Sequence, residues 1–561
     1  MTRGGGHRNG TPRTGAAGHG ARAARRLAAT ALAGVLACAG CTAPGGDADL
    51  TGPGRAGELR VLAGSELADL EPVLERAAEA TGVTVHMEYA GTLDGVQQIL
   101  GGQTDQRYDA VWFASNRYLN LYAEARTALR EETAVMASPV ALGVTEDAAA
   151  GLGWGDGTEV TWSDIAEAAA DGDLAYGMSS PAASNSGFSA LVGVASALAD
   201  TGTALETSDI DEVAPELRAF FSGQELTAGS SGWLAEEFAR RSASGDAGLA
   251  GLVNYESVLL SLNASGRLDR PLTIVRPADG TVTADYPLSL LDSATDEVAE
   301  SYRVLVDHLL SAEVQREILQ ETHRRPMNPE ALGEAGLPSV TELPFPTRAE
   351  TVDRLIAAYF DEIRKPARTV YVLDASISMQ GERIEALRAA METLTGGDDS
   401  VSGRFQRFYG RERVTLLPFD GAVRPAVDHE LSEEPDPATL DAIRSEVDAL
   451  ELGDGTAAYD AVAEAYRLLE AEDRGDAAES FTSIVLLTDG EVNTGRTFAE
   501  LRDETHARLP AGLRDVPVFT VLFGEGDAAE MTELAELTGG RTFDARSDSL
   551  DAAFREIRGY Q

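Results

Sequence analysis

The 561-residue sequence contains only two cysteines, Cys38 and Cys41, and only one lysine, Lys365. Because both cysteines lie close to the N-terminus, no disulfide can form within the rest of the chain. Positive charge is scarce overall, since 92 Asp and Glu residues face 46 Lys and Arg residues and give a formal net charge of −46. This balance argues against nucleic acid as a partner, because the phosphate backbone attracts basic proteins.

Signatures of common enzymes are missing as well. The sequence has no Walker A motif, no H-E-x-x-H motif, no Ser-His-Asp order and no cysteine placed as a nucleophile. The seven histidines are scattered along the chain and form no motif. We therefore expect a binding protein and not an enzyme.

The N-terminus has the pattern of an export signal. Six arginines and no acid occupy the first 26 residues, and an apolar run follows from Leu27 to Gly40. That run is shorter than the about 20 residues that a membrane-spanning helix needs. It ends in Ala39-Gly40-Cys41, which resembles a lipobox with Cys41 as the lipidated residue, and Cys38 is the competing candidate. Arg25-Arg26 leaves export by a twin-arginine route open. We expect a signal peptide over 1–40 and a Gly- and Pro-rich tether over 41–57.

The rest of the chain has an ordinary globular composition, with 43% hydrophobic and 25% charged residues, and is long enough for two or three domains. Strand and helix patterns alternate over 58–345, which predicts an α/β domain with a largely parallel sheet. Returning strand segments are expected at 249–262 and 272–277, and one amphipathic helix over 298–323. A linker with a connecting helix follows over 346–367. A second α/β series covers 368–561, with strands at 369–374, 413–419, 483–489, 517–524 and 541–545.

Polar side chains in the second series occur where apolar strands end. Asp374, Ser376 and Ser378 form a D-x-S-x-S motif directly after the strand at 369–374, and Asp489 closes the strand at 483–489. Thr456 precedes a helix in a Gly-Asp-Gly-Thr loop. The carboxyl ends of strands in an open α/β sheet share one edge, where ligands bind. Carboxylates and hydroxyls are hard oxygen donors, which suit Mg²⁺, Mn²⁺ or Ca²⁺.

These three segments, in this order, resemble the metal-ion-dependent adhesion site of von Willebrand factor type A (VWA) domains. The resemblance covers nearly 200 residues and implies a Rossmann-like, doubly wound fold. It also implies a divalent cation, most often Mg²⁺, held by Asp374, Ser376, Ser378, Thr456 and Asp489, and a protein partner that supplies an Asp or Glu. The sequence differs from the usual Gly-Gly-Thr loop in having Asp454, which is either an outer-shell acid or a surface residue.

Residues 58 to about 335 resemble bacterial periplasmic-type solute-binding proteins of the two-lobed class that includes oxyanion binders. Serine clusters near helix starts are consistent with this resemblance, because helix N-termini with free N–H groups attract anions. Each cluster also fits ordinary helix capping. The segments Gly229–Trp233 and Tyr255-Glu256 are further candidates for the cleft lining. The resemblance implies a small-molecule anion site with the candidate residues Ser65, Ser115, Ser184, Asn185, Ser186 and Tyr255.

Two functions remain open at this point. One is a lipid-anchored surface protein on the outer face of the bacterial membrane that binds a partner through its metal site. The other is the substrate receptor of an ABC-type transporter with an accessory VWA domain.

The lipobox leads to a direct prediction. Cys41→Ala is expected to release the protein from membranes or to trap it unprocessed, because the thiol that carries the lipid is lost. Fractionation of cells that express the wild type and the variant measures this. An unlipidated wild type with an unchanged membrane fraction in the variant would contradict it.

Overall fold

A computed structural model describes residues 56–90, 92–102, 104, 107–155, 157–244, 248–397, 406–472, 480–524, 526, 528–546 and 550–560. The predicted signal peptide, Cys41 and most of the predicted tether lie outside the described residues. All described residues fall within one compact unit of the chain. Among the helices of these ranges, none combines the length and the apolar character needed to cross a membrane.

The strands follow one another along the whole described chain. They are β1 (Glu58–Gly64), β2 (Thr84–Ala90), β3 (Ala110–Trp112), β4 (Leu129–Ala134), β5 (Met136–Val144), β6 (Tyr176–Ser179), β7 (Gln224–Ala228), β8 (Gly251–Tyr255), β9 (Thr273–Val275), β10 (Thr283–Ala284), β11 (Pro287–Leu291), β12 (Arg325–Pro326), β13 (Ala367–Asp374), β14 (Arg413–Phe419), β15 (Val427–Glu430), β16 (Phe481–Thr488), β17 (Val518–Leu522) and β18 (Thr542–Asp544).

The α-helices lie mostly between these strands. They are α1 (Glu71–Thr81), α2 (Thr92–Leu100), α3 (Ala123–Ala128), α4 (Glu146–Leu152), α5 (Trp162–Ala170), α6 (Asn185–Ala199), α7 (Thr207–Ser222), α8 (Ser231–Ser244), α9 (Glu256–Ala264), α10 (Asp296–Leu309), α11 (Ala312–Thr322), α12 (Pro329–Ala335), α13 (Ala349–Ala358), α14 (Glu382–Glu392), α15 (Pro437–Asp448), α16 (Ala458–Glu472), α17 (Phe498–Glu500), α18 (Ala511–Arg514), α19 (Ala528–Thr538) and α20 (Leu550–Tyr560).

The first part of the chain forms two lobes, each built on its own sheet. The first sheet has the order β2-β1-β3-β11-β4, and the second has β10-β5-β8-β6-β7 with β9 and β12 also pairing with β5. The chain crosses between the lobes at Val135, between β4 and β5, and returns through Asp285 and Tyr286, between β10 and β11. Strands that return from the other lobe pair antiparallel with their neighbours. The expectation of largely parallel sheets was therefore wrong for both lobes.

Two local predictions in this part also need correction. The segment 249–262 contains the short strand β8 followed by helix α9, because Tyr255 ends the strand and caps the helix. The helix expected over 298–323 is two helices, α10 and α11. The second begins at a new N-cap, where the Ser311 hydroxyl accepts a hydrogen bond from the Val314 N–H.

The last part of the chain forms a single six-stranded sheet of order β15-β14-β13-β16-β17-β18. All neighbours are parallel except the edge strand β15, which is antiparallel to β14. Each predicted strand of this series is present within a few residues of its expected bounds. The apolar runs are easy to recognise because β13 and β17 are buried along their whole length. The carboxyl ends of β13, β14 and β16 lie side by side at one edge of the sheet.

The connecting segment is part of the packed structure and not a free spacer. Val352, Leu355 and Phe360 are buried in the same hydrophobic core as the two lobes. Upstream of α13, the main chain pairs with the second lobe, since Thr281 donates to the Thr341 carbonyl and accepts from the Leu343 N–H. The predicted linker residues therefore fix the position of the last domain against the lobes.

A buried triad of charges closes the junction between the connecting segment and the last sheet. Glu412, which precedes β14, accepts hydrogen bonds from Arg364 at 2.7 Å and from Arg558 of α20 at 2.8 Å. All three side chains are almost fully buried. Two guanidinium groups on one carboxylate neutralise it, and removal of the carboxylate would take the shared acidic partner from two buried arginines.

We expect Glu412→Gln to destabilise the full chain by about 3 kcal/mol, because the two buried guanidinium groups lose the carboxylate that they share. Chemical denaturation followed by circular dichroism measures the change. Glu430→Gln, which removes an exposed carboxylate from edge strand β15, is the control and is expected to change little. Equal midpoints for both variants would show that the triad does not stabilise the junction.

Candidate metal centre and solute cleft

The loop after β13 is shaped by its own hydrogen bonds. Asp374 ends the strand, and its Oδ1 accepts a hydrogen bond from the Ser376 N–H at 2.8 Å. Gly381 has φ 90° and ψ −133°, a conformation that a residue with a side chain rarely adopts, and it turns the chain into α14. The D-x-S-x-S motif thus sits between a buried strand and a helix start, as the sequence predicts.

Two further loops meet this one at the sheet edge. Ile377 donates its N–H to the Gly453 carbonyl at 2.8 Å, which pairs the first loop with the Gly-Asp-Gly-Thr loop. Thr456, in the latter, donates its N–H to the Asn493 side chain at 3.0 Å. Asn493 follows β16 and Asp489 in sequence. The predicted residues of all three segments therefore come from loops that contact one another.

The two acids of this edge are both buried, with side chains that are 0% exposed. Thr488, the last residue of β16, donates its hydroxyl to Asp374 Oδ2 at 2.6 Å, which places the neighbouring Asp489 beside the first loop. Burial raises the pKa of Asp374, and the negative charge of Asp489 adds to this effect. The pair is an environment in which a cation would be stabilised.

The two serine hydroxyls of the site form a hydrogen bond with each other, and their separation also suits two ligands of a small divalent ion. Ser376 Oγ and Ser378 Oγ lie 2.9 Å apart. Adjacent ligands of an octahedral Mg²⁺ at about 2.0–2.1 Å are themselves about 2.9 Å apart. Within the described residues there is no group of three or more His, Cys, Asp or Glu side chains that could hold a metal. A site of two carboxylates and three hydroxyls is consistent with that finding, because three of its five donor residues are Ser or Thr and not one of those four types.

Arg383 is a residue of this site that the sequence reasoning missed. It lies in the first turn of α14, and its Nη1 donates to Asp489 Oδ2 at 2.8 Å and to the Ser378 carbonyl at 3.0 Å. Thr488 and Asn493 were missed as well. Thr488 ends the apolar strand β16 and Asn493 lies four residues after Asp489, so their position at and after the end of this strand was the available signal. Asp454 is exposed and uses its main-chain carbonyl to accept from the Gly421 N–H.

In the second lobe, four serine hydroxyls form a hydrogen-bonded cluster. Ser186 lies at its centre, 2.7 Å from Ser179 Oγ, 3.0 Å from Ser184 Oγ and 2.6 Å from Ser231 Oγ. These residues come from the end of β6, the start of α6 and the start of α8. Beside them, Asn185 donates to the Tyr255 hydroxyl at 2.8 Å. The structure thus brings together the four candidate residues of this lobe.

The two candidates of the first lobe are not part of that cluster. Ser65 is exposed at the start of a 3-10 helix, and Ser115 accepts a hydrogen bond from the Arg117 N–H within its own turn. Other side chains approach from this side. Tyr286, at the return crossing, has its ring 6.2 Å from that of Tyr255 and 4.8 Å from the guanidinium of Arg324. No periodic pattern in the sequence marks Tyr286 or Arg324, because one lies at a crossing between the lobes and the other follows a helix end.

Arg324 and Glu256 both form ion pairs within the protein. Arg324 pairs with Asp69 at 2.7 Å and donates to the Glu66 carbonyl. Burial would raise the pKa of Glu256, but Arg325 and Arg276 outweigh it, so that the pKa is lowered. Glu256 is therefore a structural acid of the second lobe, and not a free group of the cleft.

Two protein families match separate parts of the chain. Residues 59–323 match the family described as bacterial extracellular solute-binding protein. Residues 370–556 match the von Willebrand factor type A domain. The chain joins a bacterial solute-binding domain to a VWA domain. The comparison with curated proteins gives no match for it.

Solved structures of several binding proteins resemble about half of the chain. The periplasmic binding protein AfuA from Actinobacillus pleuropneumoniae is 15% identical, with a TM-score of 0.42 over 55% of this chain and 98% of its own. The apo ferric ion-binding protein A of Pasteurella haemolytica is 12% identical, with a TM-score of 0.42 over 55% and 98%. The sulfate-binding protein SubI from Mycobacterium tuberculosis H37Rv is 15% identical, with a TM-score of 0.40 over 53% and 98%.

The solute-binding domain and the VWA domain are in direct contact through helix α20. Thr227 at the end of β7 donates its hydroxyl to the Gly559 carbonyl at 3.0 Å. Trp233 of α8 packs edge-on against Tyr560, with ring centroids 4.0 Å apart. Gly229 is required here, because a Cβ at that position would lie 2.8 Å from Glu556 Cγ. The second lobe and the VWA domain share one continuous hydrophobic core.

Proposed function

We propose that this protein is an exported, lipid-anchored binding protein on the outer face of the bacterial membrane. In this proposal, its VWA domain holds a divalent cation, most often Mg²⁺, through Asp374, Ser376, Ser378, Thr456 and Asp489. Mn²⁺ and Ca²⁺ are the alternatives. The cation then binds an Asp or Glu of a protein partner. The observation that carries the proposal is the meeting of these five residues on three contacting loops at one sheet edge.

The charges of the site favour binding of a cation first and of an acidic partner afterwards. Asp374 and Asp489 contribute two buried negative charges and Arg383 contributes one positive charge, so the three side chains together carry a net charge of −1. A divalent cation among them would leave a net charge of +1. Because an uncompensated charge in a poorly hydrated site is costly, an incoming carboxylate would be favoured at that stage.

A second candidate function is the substrate receptor of an ABC-type transporter, with the VWA domain as an accessory. The serine cluster at the start of α6 supports solute binding, because hydroxyls and a helix N-terminus favour an oxyanion or a hydroxylated solute. Arg324 adds little to anion binding, since Asp69 already pairs with it. Because the serine hydroxyls and the helix N-terminus can donate hydrogen bonds to an anion, we propose a small oxyanion as the first class of solute to test.

Cation binding leads to a stability prediction for the full exported chain. Mg²⁺ or Mn²⁺ at 100 times its dissociation constant should stabilise the fold by about 2.7 kcal/mol, since only the folded site binds it. Thermal unfolding should shift upward, and EDTA should reverse the shift. Asp374→Asn keeps the size of the side chain but removes a buried charge, and it should abolish the response.

Glu385→Gln provides the matched control, because it removes an exposed carboxylate from the neighbouring helix α14. It should respond to the cations as the wild type does. If the wild type and Asp374→Asn respond identically to Mg²⁺, Mn²⁺ and Ca²⁺, these residues do not form a metal site and the adhesion proposal fails.

Solute binding is tested by calorimetry of the full chain with sulfate, phosphate, molybdate, amino acids and sugars. Ser186→Ala removes the central hydroxyl of the cluster and should weaken binding of the active compound by about three- to tenfold, the value of one or more hydrogen bonds. Ser222→Ala, at the exposed end of α7, should leave it unchanged. Silence of the wild type across the whole panel would contradict solute binding.

A further inference from the structure

The guanidinium of Arg383 donates hydrogen bonds to two residues of the candidate metal site itself. Its Nη1 contacts Asp489 Oδ2 at 2.8 Å and the Ser378 carbonyl at 3.0 Å, so it bridges two of the three loops. A Cβ on Gly524, after β17, would lie 2.7 Å from the Asp489 carbonyl oxygen, 2.8 Å from Asp489 Cβ and 3.2 Å from Arg383 Cζ. The absence of a side chain at this position therefore leaves room for both partners of the ion pair.

The two partners of this ion pair differ in their exposure to solvent. Asp489 is 0% exposed at its side chain, whereas Arg383 is 33% exposed. The guanidinium can thus leave toward solvent without opening the core. Asp489 cannot follow it, because Asp489 Oδ1 also accepts a hydrogen bond from the Glu491 N–H. If Arg383 moves out, a buried carboxylate oxygen loses its cationic partner, and such a group strongly attracts another cation.

We infer that Arg383 is an internal cation that competes with the divalent ion for Asp489, and so sets the cation concentration at which the site fills. This inference rests on the proposed metal site. A guanidinium and a divalent ion repel each other at short range, and they cannot share one carboxylate oxygen at full strength. Metal binding therefore displaces or weakens the contact between Arg383 and Asp489. The displaced guanidinium lies at the rim of the site, where a partner carboxylate arrives.

Arg383→Gln tests this inference, with Mn²⁺ as the probe and the full chain as the protein. The variant removes the competing charge but keeps a polar side chain of similar length. We expect its dissociation constant for Mn²⁺, measured by calorimetry and by the electron paramagnetic resonance of free Mn²⁺, to be at least tenfold lower than that of the wild type. A merely structural role cannot give this result, because damage to the site weakens binding and does not tighten it.

Arg388→Gln is the matched control. It removes a guanidinium from the same helix, where Arg388 donates to the Asp448 carbonyl and not to the metal loops. Its Mn²⁺ affinity should stay close to that of the wild type. Equal or weaker binding by Arg383→Gln would overturn the competition, while the metal site itself would stand. Absence of Mn²⁺ binding in both the wild type and Arg383→Gln would instead overturn the metal site and this inference together.

Discussion

A charged group buried in a protein must be compensated, and arginine does this at several places in the described part of this chain. Glu256 is paired with Arg276 and Arg325, and Glu412 is paired with Arg364 and Arg558. Arginine suits the task because its guanidinium stays charged when buried and offers several donors in one plane. The sheet edge of the VWA domain departs from this pattern. There, the two buried acids Asp374 and Asp489 are accompanied by one arginine, Arg383.

This difference distinguishes buried acids that stabilise the structure from buried acids that are placed to attract a cation. A carboxylate with two guanidiniums gains nothing from a further cation, so Glu256 and Glu412 stabilise the lobe and the domain junction in which they lie. Two carboxylates with one guanidinium retain a negative charge in a poorly hydrated place. Hydroxyl groups at octahedral spacing lie beside them. The same physical rule that stabilises the junction thus favours a cation at the sheet edge.

The sequence predicted the fold well where each apolar run corresponds to one strand or one helix. The central strands β13, β16 and β17 of the VWA sheet were predictable because they are largely buried on both faces. Four of the five candidate metal residues lie at or after the ends of β13 and β16, whereas Thr456 lies in a loop before a helix. The mixed sheets of the two lobes were not predictable, since pairing depends on where the chain crosses between lobes at Val135 and Tyr286. Arg383 was missed for a similar reason. The position of Arg383 in α14 predicts which face of the helix it occupies, but its contact with Asp489 depends on a residue that lies 106 positions later in the chain.

Helix α8 connects the two binding regions most directly. Its first residue, Ser231, belongs to the serine cluster of the cleft, and Trp233, two residues later, packs against Tyr560 of the VWA domain. The second lobe and the VWA domain share a hydrophobic core, so α8 packs between the two binding regions. The connecting segment contacts the first lobe as well, through the ion pair of Arg117 and Glu342 at 2.6 Å and through the Tyr118 hydroxyl, which donates to Asp353 of α13 at 3.2 Å. An ion pair at the exposed rim contributes little stability, so the buried side chains of α13, which lie in one core with both lobes, are the stronger link between the connecting segment and the lobes.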